Sequence, residues 1–69
     1  MASQTKPDTG EMLRHFRSLA GLTLEQVSDG ADTAVAYLSK VERGHLRPTD
    51  DYVGRVMSFI SSSILRGGQ

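Results

Sequence analysis

The stretch from Thr23 to Thr49, TLEQVSDGADTAVAYLSKVERGHLRPT, decides how this chain folds. It opens on a helix start. Thr23 can cap an N-terminus while Gln26, three residues on, reaches back to the same turn, the reciprocal pattern of a capping box. Leu24, Val27 and Ala31 then recur at helical spacing and predict a short helix with one inward stripe. Gly30 weakens its last turn by about 1 kcal/mol relative to alanine. GADT reads as a turn with Asp32 as its pivot, because aspartate tolerates left-handed backbone better than most residues. A second helix is predicted over residues 34–43, with Leu38 and Val41 buried and either Val35 or Ala34 inward one turn earlier. Gly44 ends it, and HLRP is a connector closed by Pro48.

Working outward, DTGE is a further start signal, with Asp8 as cap and Glu11 three residues later. Met12, Leu13, Phe16, Leu19 and Ala20 follow at helical period, and Gly21 is a natural stop, so a first helix is predicted over about 10–20. Residues 1–7 read as a disordered tail. On the other side, PTDD starts a fourth helix, with Thr49 as cap and Asp50 and Asp51 facing its positive end. Tyr52, Val53, Val56, Met57, Ile60 and Ile64 keep the period through the serines to about Leu65; the alternative is a break near Ser61 and a stunted fifth turn. Residues 67–69 read as a frayed end. No strand pattern, repeat or low-complexity block interrupts this. The expectation is a compact all-α fold of four helices, five if the break occurs, over residues 8–66.

Composition narrows what such a fold can do. Sixty-nine residues without cysteine make one small domain whose core is marginal and has no disulfide to support it. Two histidines and no thiolate predict no metal and no cofactor. No glycine-rich phosphate loop or nucleophile–base set is present, so the chain reads as a non-enzyme with no catalytic residue. No apolar run nears the ~20 residues that span a bilayer, and the N-terminus lacks a signal-peptide core. The expectation is a cytoplasmic protein with no membrane partner. Net charge is formally zero, but its distribution is uneven. Residues 21–33 carry Glu25, Asp29 and Asp32 and no base. Residues 34–48 carry Lys40, Arg43, His45 and Arg47 around a single acid, Glu42.

Two short helices joined by a tight turn, the second ending in ERG, suggest a helix-turn-helix. The segment Thr23–Thr49 resembles the Cro/C1-type (XRE) helix-turn-helix family of phage repressors and bacterial regulators, with the motif over 23–44. Val27-Ser28 fills that family's apolar-small pair, YLSKVERG matches its recognition-helix ending almost residue for residue, and LRHFR (13–17) resembles its first-helix I-R-x-L-R. Asp32 stands where the family usually has glycine or asparagine, and Ala34 where it often has a serine or threonine cap, which leaves Thr33 or Asp32 to cap. The resemblance spans about residues 10–60 and implies a lambda-repressor-like DNA-binding domain.

The resemblance also assigns roles. It implies a structural ion pair between Arg17 and Glu42, which would turn the lone acid inward. It implies that Val35, Ala36, Ser39 and Lys40 face the base edges of the major groove. Valine and alanine there can only touch thymine methyls, unlike the Gln, Asn or Arg of many members. Thr23 and Gln26 at the amide-rich start of the second helix, with Arg43, His45 and Arg47, become phosphate contacts. Tyr37 offers its hydroxyl to a phosphate or packs on the second helix; Arg14 and His15 read as surface. The implied partner is double-stranded DNA and the implied role a transcriptional repressor. With so few bases per subunit, a homodimer is expected, its surface drawn from Val56, Ile60, Ile64 and Leu65 unless these only close the core. On this length no ligand-sensing domain is expected, leaving control to abundance, a partner or proteolysis. The rival reading is a helix-turn-helix used as a protein-interaction module or antitoxin, supported by net neutrality and the apolar Ala34–Tyr37 start.

Overall fold

The computed structural model describes residues 8–67. Over them the chain forms α1 (Thr9–Leu19), α2 (Leu24–Gly30), α3 (Val35–Glu42) and α4 (Asp50–Gly67), and no strand occurs among the described residues. The tail over 1–7 and the last residues, 68–69, lie outside the described residues. α4 is continuous through Ser61–Ser63, so the fifth-turn alternative is set aside. Gly67, read from sequence as part of the frayed end, is the last residue of α4.

The caps explain why each helix begins where it does. Asp8 sits in extended backbone and accepts from the Gly10 N–H at 3.1 Å. Thr23 and Gln26 form the full capping box: Thr23 Oγ1 accepts from the Gln26 N–H at 3.0 Å, and Gln26 Oε1 accepts from the Thr23 N–H at 2.9 Å. Thr49 Oγ1 accepts from the Tyr52 N–H at 3.1 Å at the start of α4. α3 differs. Its N-cap is Ala34, no side chain caps it, and neither Thr33 nor Asp32 takes that role. Three left-handed residues make the connections: Gly21 at φ 71°, Asp32 at φ 58° and Gly44 at φ 79°. Asp32 is thus the pivot of the α2–α3 turn.

The core is built by Leu13 of α1, Val27 of α2, Ala31 just after it, Leu38 and Val41 of α3, and Tyr52, Val56 and Ile60 of α4. Several apolar residues assigned inward by periodicity are not buried. Leu19 is exposed, because it lies at the end of α1 where the chain turns away. Val35 and Ala34 are both exposed, because the buried face of α3 begins only at Leu38. Val56 and Ile60, assigned to a dimer surface, are 1% and 0% exposed and close the core instead. Of that set only Ile64 and Leu65 face outward.

Two glycines are explained by close approach. A Cβ on Gly10 would collide with the Val41 carbonyl, so α1 rests its first turn on the backbone of α3. A Cβ on Gly30 would meet the ring of Phe59, which packs from α4 over the end of α2. The helix-weakening glycine at position 30 is what admits that ring.

Candidate nucleic-acid interface

The acid in the basic segment is accounted for by one pair. Arg17 Nε donates to Glu42 Oε2 at 2.8 Å and Arg17 Nη2 donates to Glu42 Oε1 at 3.0 Å, a two-bond fork. Arg17 Nη1 donates to the Leu22 carbonyl at 2.9 Å, so the same guanidinium also ties down the α1–α2 turn. The side chains are 15% and 5% exposed. The hydrogen bond to Glu42 raises the Arg17 pKa, the carboxylate charge adds to this, and burial opposes it. Both charges of the pair are therefore spent inside the molecule, between α1 and the end of α3.

With Glu42 turned inward, α3 presents Ala36, Lys40 and Arg43 as its outer face, all exposed, with Val35 and half-buried Ser39 along the α2 side. Arg43 lies back along the helix, its Nε donating to the Ser39 carbonyl at 3.4 Å. His45 and Arg47 are exposed in the α3–α4 connector. Thr23 and Gln26 are exposed at the start of α2; the capping box uses Thr23 Oγ1 and Gln26 Oε1 as acceptors, leaving the Thr23 O–H and the Gln26 amide NH2 as donors available outward.

One residue of the N-terminal half of α3 also reaches α4. Tyr37 packs its ring on Tyr52, with centroids 5.1 Å apart and planes tilted by 54°. The Tyr52 hydroxyl pairs with Thr33 Oγ1 at 3.0 Å, so the residue expected to cap α3 instead joins the turn to α4. Burial pushes the Tyr52 pKa up, and the hydrogen bond from Thr33 pulls the other way. Arg55 lies over the opposite part of this cluster, its guanidinium carbon 5.6 Å from the Tyr52 ring centroid. Sequence reasoning passed over both Gly10 and Arg55. Arg55 stands three residues after Tyr52, which puts the two on one side of a helix, and that spacing is the signal that could have found it.

A helix-turn-helix domain model matches residues 8–60, nearly the whole described bundle. The chain belongs to the helix-turn-helix domain family. This family lies within the XRE type that the ERG ending and the Arg17 and Glu42 positions resemble. Among curated proteins, the transcriptional regulator ClgR from two strains of Mycobacterium tuberculosis is 36% identical over 56 residues. The match covers 81% of this chain and 50% of ClgR, so the chain spans about half the length of the curated relatives it matches. No solved structure matches. Like other members of the family by fold, the chain is all-α over its described residues, and no described helix is long and apolar enough to cross a membrane.

Proposed function

We propose that this chain is a sequence-specific DNA-binding module of a cytoplasmic transcriptional regulator, acting as a repressor. Residues 8–66 form the domain, and residues 34–43 lie in the major groove. The observation that carries this reading is the Arg17–Glu42 fork: it removes the acid from the face on which Lys40 and Arg43 stand. Family membership and the name of the regulator ClgR point the same way. In this reading Lys40 and Ser39 hydrogen-bond base edges, and Val35 and Ala36 meet thymine methyls. Arg43, His45, Arg47 and the α2 start at Thr23 and Gln26 hold phosphates and set the register. Tyr37 is committed to Tyr52 through its ring, with its hydroxyl end left for a phosphate. Exposed Ile64 and Leu65 are the remaining candidates for a homodimer contact, which would double the phosphates neutralised.

Selection of bound sequences from random duplex DNA tests this. The expected result is an enriched site, with binding lost in the Lys40→Ala, Arg43→Ala double variant. Absence of binding to both random and selected DNA would overturn it. That outcome would favour the second reading, a protein-interaction module or antitoxin docking through the exposed Ala34–Tyr37 turn.

A further inference from the structure

Arg55 is a base that none of these roles uses. It is exposed on α4, and yet its side chain has a contact within the fold. Asp51 stands one turn earlier on the same helix, a spacing that commonly pairs acid with base. Among the described residues, however, no carboxylate lies within 4.0 Å of Arg55, and the ion pair found there is Arg17–Glu42. The guanidinium lies over Tyr52 instead. A cation–π contact of this kind draws on the charge of the guanidinium and uses none of its N–H donors as hydrogen bonds to a carboxylate. The Tyr52 ring is itself fixed, by its hydroxyl on Thr33 and by its contact with Tyr37. Tyr37 belongs to the exposed flank of α3 next to Ala36 and Lys40. A chain of contacts thus runs from the outer face of α3 through Tyr37 and Tyr52 to a cation with no acid partner among the described residues.

We infer that Arg55 is a further phosphate-binding residue, gripping the DNA backbone strand that flanks the Tyr37 side of α3. Tyr52 is its positioning residue. This rests on the DNA-binding reading above and adds α4 to the elements that touch DNA. An arginine fork suits the two oxygens of one phosphodiester, and holding it on an aromatic face reduces the freedom lost on binding. The contact carries no base information, so it adds the same affinity to every sequence.

The test is titration of the full chain against a short random-sequence duplex between about 50 and 200 mM salt, the range over which such contacts show. Arg55→Ala should weaken binding on all sequences alike and lower the salt slope by about 0.9 per bound subunit. Arg55→Lys should keep the slope, because the charge remains. An unchanged slope and affinity in Arg55→Ala, with the wild-type chain binding normally, would overturn this inference alone. Weaker binding with an unchanged slope would overturn it too, since it would show Arg55 acting only through the packing of Tyr52. A wild-type chain that binds no duplex would overturn the DNA-binding reading together with this one.

Discussion

The two ends of α3 are held in opposite ways. At its C-terminal end α3 is clamped by charge and close backbone contact: Glu42 sits in the Arg17 fork and the Val41 carbonyl presses on Gly10. At its N-terminal end no side chain caps it, burial is slight and no ion pair occurs among the described residues; the Tyr37–Tyr52 contact, the Thr33–Tyr52 hydrogen bond and the Thr33 N–H donating to the Ser28 carbonyl hold the turn nearby. The clamped end tolerates few residues, because a fork and a zero-clearance contact each need one side chain. The other end is held by surfaces that several residues could supply. In the proposed DNA-binding role, such a division would let one end fix the direction of α3 while the other varies in what it presents.

Breaking the clamp should have the largest effect. Glu42→Ala leaves a guanidinium of low exposure without its carboxylate and should destabilise the fold by about 3–5 kcal/mol, measured by urea unfolding. A double-mutant cycle with Arg17→Ala should return a large coupling energy; a coupling near zero would mean the fork is ornamental. Next, Gly10→Ala should cost about 1–3 kcal/mol, because α1 must lift off α3 to admit the methyl. A wild-type melting temperature in that variant would show that the first turn of α1 is not seated as described.

The uncapped end should respond in the other direction. Ala34→Ser supplies the missing cap and should stabilise by about 1 kcal/mol. No gain, with the helix content unchanged, would mean the amides at the start of α3 are already satisfied. The smallest effect belongs to Tyr52→Phe, which keeps the ring on Tyr37 and loses the bond to Thr33, a change of about 0.5–1.5 kcal/mol. It has a pH signature. Burial raises the folded-state pKa of Tyr52 above its ordinary value of 10.0, so the stability it contributes is fully present below that pH. That stability is lost as pH rises through the folded pKa, and Tyr52→Phe should remove the loss. Alkaline unfolding curves that superimpose for wild type and variant would contradict the assignment.

Legibility from sequence follows the same division. The capping box at Thr23 and Gln26, the stops at Gly21 and Gly44 and the pivot at Asp32 are local devices, each set by the chemistry of a few neighbouring residues, and each is readable directly. The positions of Arg17 and Glu42 came from the resemblance, because nothing in spacing alone brings residues 25 apart together. What stayed hidden is tertiary. Gly10 carries no signal in the sequence and Gly30 reads as weakening until Val41 and Phe59 are placed against them. Thr33 reads as a helix cap until Tyr52 competes for its hydroxyl. Val56 and Ile60 read as surplus apolar surface because periodicity gives a helix face but not the depth at which it sits.

α4 outruns the bundle it supports. Ile60 is its last buried residue, and from Ser61 to Arg66 no side chain is buried although the helix continues to Gly67. Amides up to Ile60 are therefore protected from hydrogen exchange by the core as a whole, while those beyond it are guarded only by the bonds of an overhanging helix end. The last turns of α4 are an ordered but low-stability spur, folded in shape and close to solvent in free energy. A surface brought against Ile64 and Leu65 would meet a helix already formed and would have little chain entropy left to remove.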